Sequence, residues 1–185
     1  MNPRDRILTT ADRLFYVQGV AGTGINQIIA EAGVAKATFY GHFRSKEALT
    51  LAYLKTRHES WFAGLRDEVA SRRTARSQTA GAFAFLDKWL TDTDFRGCAF
   101  LNLLGEGPPP PELAAQVAQH KAELRQFFRA IAASSSPSSL RPTRLGDALL
   151  LLFEGALVEA QVHHALWPVR AASESAIALL ATERN

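Results

Sequence analysis

Between residues 24 and 43 the chain reads GINQIIAEAGVAKATFYGHF, and this stretch constrains the fold more than any other. Ile25, Ile28, Ile29 and Ala32 recur at helical spacing, which gives a short helix one apolar face. Gly33 follows as a stop, since a helix ends readily on a residue free to adopt a left-handed backbone. A second short helix runs from about Lys36 to Phe43. Two amphipathic helices joined at Ala32–Gly33–Val34 make a helix-turn-helix. Ile28, Ile29, Val34 and Phe39 can pack the pair together, leaving Lys36, Thr38, Tyr40 and His42 on a free polar side. A helix presented in that way fits a DNA major groove about 12 Å wide. The same spacing also suits a plain helical hairpin in a core, so the surrounding sequence has to choose.

The surroundings are helical throughout. Ile7, Leu8, Ala11, Leu14 and Phe15 give one apolar face ending near Gln18 and Gly19, and the glycines 19, 22 and 24 then loosen the chain. Ser45 is placed to cap a long fourth helix, roughly Lys46 to Arg72. Further helices are expected near 77–92, 98–105, 111–133, 142–166 and 168–182. Pro108–Pro111 and the serine-rich Ser134–Ser139 separate the later ones as loops. No stretch alternates as a strand does and nothing repeats. The expected fold is all-α with about nine helices.

Charge is distributed unevenly. Residues 1–57 hold eight bases (Arg4, Arg6, Arg13, Lys36, Arg44, Lys46, Lys55, Arg57) against four acids (Asp5, Asp12, Glu31, Glu47), a net +4 in a chain of 185 residues whose total is +3. A positive head on a near-neutral body suits DNA binding by the head. One cysteine, Cys98, excludes an internal disulfide framework and a cysteine-based structural zinc site. The opening MNPRDRILTT is charged where a signal peptide needs an apolar core, and no apolar run approaches the roughly 20 residues of a spanning helix. A cytoplasmic protein without membrane contact is expected.

The opening helix RILTTADRLFYVQG, followed by IIAEAGVAKATFYGHFRSKEAL, resembles the N-terminal domain of the TetR family of transcriptional repressors, over about residues 4–57. The resemblance implies a three-helix DNA-binding domain over 1–50, its helix-turn-helix at 24–43, and a helical ligand-binding and dimerisation domain over 51–185. It implies binding of pseudo-palindromic, double-stranded operator DNA as a homodimer, and release by a small-molecule inducer. Carried over residue by residue, Lys36, Ala37 and Thr38 fall at the exposed start of the recognition helix. Tyr40 and His42 match the backbone-binding aromatic and histidine. Lys46 matches the phosphate-contacting lysine, at a helix N-terminus that itself attracts anions. Asn26 and Gln27 fall where members place a phosphate or base contact. Ala35 departs from the usual capping serine, and Gly41 from the usual larger residue facing DNA. Lys36 is therefore the one strong candidate for reading guanine.

Beyond residue 57 the likeness lies only in helicity, apart from RGCAFLN (96–102), which resembles a segment of one TetR-like subset. Trp61, Phe85, Trp89, Phe100, Phe128 and Phe153, with Cys98 and Leu103, are expected to line an apolar cavity between helices, or simply to fill the core. Glu154 and His163, with Glu106, Glu159 and Gln161, are candidate polar contacts for a ligand. The fourth helix, from Lys46 to the region of Trp61, is the natural lever between such a cavity and the DNA. Dimerisation is expected through helices 142–166 and 168–182, which are apolar on more than one side and carry the small Gly155, Ala156 and Ala160. Enzyme readings are thin: no G-x-S-x-G, HExxH or Walker-type run is present. His58 and His120 are expected on exposed faces, and His163 and His164 are about 100° apart on a helix, poorly set to share a metal. No catalytic residue, metal or cofactor is expected. Cys98 as a redox sensor is the alternative regulatory input to a ligand, against a buried structural role. A ligand-responsive repressor is the expected function; the alternative is a helical binding module without operator recognition.

Overall fold

The computed structural model describes residues 1–135 and 141–182. Among these the chain forms nine helices and no strand. They are α1 (Pro3–Gln18), α2 (Ile25–Ala32), α3 (Lys36–His42), α4 (Lys46–Ala70), α5 (Ala75–Leu90), α6 (Ala99–Gly105), α7 (Pro111–Ala133), α8 (Arg141–His163) and α9 (Trp167–Thr182). The expected loop at Ser134–Ser139 lies outside the described residues from 136 onward. Boundaries differ from expectation where capping decides them. α5 starts two residues early because Thr74 and Ser77 cap each other, Thr74 Oγ1 accepting from Ser77 N at 3.1 Å and Ser77 Oγ from Thr74 N at 3.1 Å. α8 stops at His163 because His164 turns into a left-handed backbone at φ 48°. No helix among the described residues is long and apolar enough to cross a membrane.

Two compact units are present. The first comprises Met1–Ser60 with Cys98–His120. Its core is built from the apolar faces of the opening helices: Ile7, Ala11, Leu14 and Phe15 from α1, Ile28 and Ala32 from α2, Phe39 from α3, and Leu49 and Tyr53 from α4, all buried. Phe39 is fully enclosed, and burial of a side chain of that kind stabilises by roughly 1.5–3 kcal/mol. The second unit comprises Trp61–Gly97 with Lys121–Asn185. There α5, α8 and α9 pack together over Leu86, Leu149, Phe153, Ala176 and Leu180. Asp147 on α8 is held by both Arg125 and Arg129 of α7 through paired hydrogen bonds of 2.7–2.8 Å.

Candidate nucleic-acid interface

The turn between α2 and α3 is set by one glycine and one distant arginine. Gly33 adopts φ 61°, ψ 43°, the left-handed conformation that a residue with a β-carbon takes only at a cost. Its N–H donates to Ala30 O at 3.1 Å, and that of Val34 to Ile29 O at 3.2 Å, closing the end of α2. Arg6 on α1 reaches the same turn, its guanidinium donating to Ala32 O and, at 2.8 Å, to Gly33 O. A β-carbon on Gly33 would lie 2.6 Å from Arg6 Nη2, so the backbone conformation favours glycine and any side chain there would displace the arginine. A second tie from α1 joins Arg13 to Glu31. Arg13, with Gln27, holds the Glu31 carboxyl below its ordinary range.

α3 presents Lys36, Tyr40 and His42 on its outer side as expected, but not Thr38. Phe39 points inward, its ring 5.2 Å from Tyr40 and 6.3 Å from Phe43. On the other side Lys36, Ala37, Tyr40 and Gly41 sit one turn apart and are exposed, as is His42, while Thr38 is half-buried. Ala35 occupies the N-cap and supplies no side-chain bond. A β-carbon at Gly41 would meet nothing within 4 Å, so the space next to the backbone is open there. Ser45 caps α4 as expected, Oγ accepting from Ala48 N at 3.0 Å, and Lys46 is the first residue of that helix. Asn26 is exposed on α2. Gln27 is half-buried and donates from Nε2 to Glu31 Oε1 at 3.0 Å, so it is already engaged within its own helix. α3 carries no acidic residue, and Lys36, Arg44 and Lys46 add positive charge at its two ends. Such a surface attracts a polyanion.

Residues 7–53 match the sequence pattern of the "Bacterial regulatory proteins, tetR family". In structure the chain is similar to SCO4454, a TetR-family transcriptional regulator from Streptomyces coelicolor, with a TM-score of 0.83 and 28% identity over 99% of this chain and 96% of that one. Residues 7–53 thus carry the TetR-family pattern, in a chain whose fold is that of a solved TetR-family regulator. It is also 35% identical to the HTH-type transcriptional regulator LmrA of Bacillus subtilis over 126 residues, and 35% identical to an uncharacterized HTH-type transcriptional regulator in the lacX 3' region of Lactococcus lactis over 131. The matched stretches cover 66% and 69% of this chain but only 61% and 63% of those two proteins. None of the three is named as an enzyme.

The residues expected to receive a ligand divide between the two units. In the second unit Trp61 sits at the centre of a ring cluster, 5.2 Å from Phe85, 5.8 Å from Trp89 and 6.2 Å from Phe153, edge to face in each case. Phe128 joins it through Phe153 at 5.2 Å. Cys98, Phe100 and Leu103 belong to the first unit and are buried there. Glu154 is bound to Lys121 at 2.6 and 2.8 Å, and His163 pairs with Glu159 at 3.2 Å on the exposed side of α8. Glu106 is spent on main-chain amides in the first unit.

Two expectations need correction. His120 is buried, at 2% exposure, and His58 is half-buried, not on open faces. The His120 ring lies flat on Phe100, centroids 3.8 Å apart and planes at 10°, and its Nδ1 is 3.2 Å from that of His58. The signal was present: His120 continues the Leu113–Val117 stripe of α7 at i+3 and i+7, so it follows the apolar face. Ala156 and Ala160 do not face outward either. They are buried at 3% and 4% within the chain's own packing, on one face with Leu149, Phe153 and Leu157. The outward apolar residues of α8 are Leu151, Val158 and Val162, with Gly155 between them. The error lay in assigning the small residues Ala156 and Ala160 to the outward side: they fall within the broad buried arc, and a different apolar set faces out.

Proposed function

We propose that this chain is a DNA-binding transcriptional regulator whose head, residues 1–50, reads operator DNA while residues 51–185 bind an effector and dimerise. One observation carries the reading: the exposed, acid-free face of α3, with Lys36, Ala37, Tyr40, Gly41 and His42, next to Lys46 at the start of α4. Lys36 reads a base edge, Tyr40, His42 and Lys46 hold phosphates, and Asn26, Gln27 and Thr38 complete the contact surface. Gln27 must first give up its bond to Glu31. Two copies are needed because one short recognition helix touches too few base pairs for useful specificity. The pairing surface is the outward stripe Leu151, Gly155, Val158 and Val162 of α8 with Leu179 of α9, which forms a four-helix bundle about a two-fold axis. A groove between α8 and α9, lined by Ala148, Leu151, Leu152, Ser175, Ala178 and Leu179, continues that stripe and receives the partner's side chains.

The regulator is a repressor released by an apolar or aromatic molecule that engages the ring cluster around Trp61. Release requires that this molecule bind the DNA-incompetent arrangement more tightly, since equal affinity shifts nothing. The test is binding to duplex DNA from the region upstream of the protein's own gene. Tight, selective capture of a pseudo-palindromic site with half-sites one helical turn apart is the expected result. Equal affinity for that fragment and for random DNA would leave the alternative of a helical binding module without operator recognition.

A further inference from the structure

The carboxylate of Glu106, just past the end of α6, accepts from two successive main-chain amides of the α1–α2 loop. Val20 N donates to Oε1 at 2.8 Å and Ala21 N to Oε2 at 2.6 Å. Both oxygens are used, on partners 86 and 85 residues away in sequence. Ionised acceptors make stronger hydrogen bonds than neutral ones, and two at once also fix orientation. The loop is shaped to receive this group. Gly19 has φ 82°, and a β-carbon there would lie 2.6 Å from Glu106 Oε1, so a side chain at position 19 would expel the carboxylate.

The loop transmits position because it is stiff on both sides of the clasp. Gly19 N donates to Phe15 O at 3.1 Å, which ties the loop to α1. Thr23 is fully buried, and its Oγ1 donates to Gly19 O at 2.7 Å. α2 begins two residues later at Ile25, with Asn26 in its first turn. α6 is seated too: Phe100 and Leu103 are buried and Phe100 is stacked on His120 of α7. We propose that Glu106 is a positioning residue for DNA recognition. It fixes where α2, and through the Gly33 turn α3, stands with respect to α6. This tie reaches the head through its first loop, separately from α4. It rests on the DNA-binding reading above.

Glu106→Gln in the full chain tests it. Glutamine keeps one acceptor but sets an NH2 group against the other amide donor. Amide hydrogen exchange at Val20 and Ala21 should accelerate about tenfold, equivalent to about 1.4 kcal/mol. The ratio of affinities for the upstream fragment over a random duplex of equal length should fall several-fold, with affinity for the random duplex unchanged. Glu106→Asp, one methylene shorter and still charged, should fall between the two. A Glu106→Gln variant with a lowered thermal midpoint but an unchanged affinity ratio would make the residue merely structural and overturn the proposal. A wild type without preference for the upstream fragment would instead refute the regulator reading and, with it, the positioning role. The exchange measurement would still report whether the clasp exists.

Discussion

Replacing Gly33 with alanine should damage the head through two mechanisms that can be separated. The backbone at φ 61°, ψ 43° costs a β-carbon residue about 1–2 kcal/mol. The new β-carbon would sit 2.6 Å from Arg6 Nη2, the far end of a flexible side chain, so the guanidinium withdraws and the backbone stays. Its bonds to Ala32 O and Gly33 O are then lost; one is partly buried and the other exposed, so together they contribute about 1 kcal/mol after allowance for solvent. The expected cost of Gly33→Ala is therefore about 2–3 kcal/mol. Arg6→Ala alone should cost about 1 kcal/mol, and the double variant should be little worse than Gly33→Ala, a coupling of about 1 kcal/mol. Urea unfolding followed by helical circular dichroism measures all four chains. The reasoning fails if Gly33→Ala costs less than about 0.5 kcal/mol, the ordinary scatter of surface substitutions. It also fails if Arg6→Ala costs the same in both backgrounds.

The Arg125 and Arg129 guanidiniums hold the Asp147 carboxyl well below the usual carboxylate range, so its contribution to stability is complete above the unfolded value of about 4 and is lost as pH falls toward the depressed folded value. Asp147→Asn should therefore lower the urea midpoint at pH 7, with the gap from wild type narrowing below about pH 4; a gap constant from pH 7 to 3 would contradict this. Leu151→Glu combined with Val162→Glu should turn a dimer into a monomer by light scattering while helicity is kept, because both side chains are exposed, at 70% and 65%, in the single chain. A dimer that survives both changes would place the pairing surface elsewhere. Ala156→Glu should instead unfold the second unit, since Ala156 is buried there.

Helix positions were legible because each rests on a local rule: Gly33 stops α2, Ser45 caps α4, and apolar spacing marks the faces of α1 to α3. The candidate DNA surface was legible for the same reason, since seven residues of α3 have only two sides and Phe39 decides which one is inward. What escaped were contacts between residues far apart in the chain. Nothing in the sequence says that Arg6 closes a turn 26 residues away or that Glu106 holds Val20 and Ala21. Glu106 is an exposed acid after a short helix, and by spacing alone it resembles any solvated one. His120 was misjudged because a polar residue was read by its type, although its position on α7 follows the buried stripe. α8 was misjudged for the opposite reason: so many of its positions are apolar that periodicity cannot say which arc the chain covers for itself.

The central claim, that the outer face of α3 reads bases while the start of α4 holds phosphate, is tested most directly by comparing Lys36→Ala and Lys46→Ala on the upstream fragment and on random DNA across a salt series. Lys46→Ala should weaken binding to both alike and reduce the slope of log affinity against log salt by about 0.9, one counterion released fewer. Lys36→Ala should cost about 1–3 kcal/mol on the upstream fragment and far less on random DNA. Equal losses on the two DNAs for Lys36→Ala would show that α3 does not read sequence in this protein, and would contradict the account.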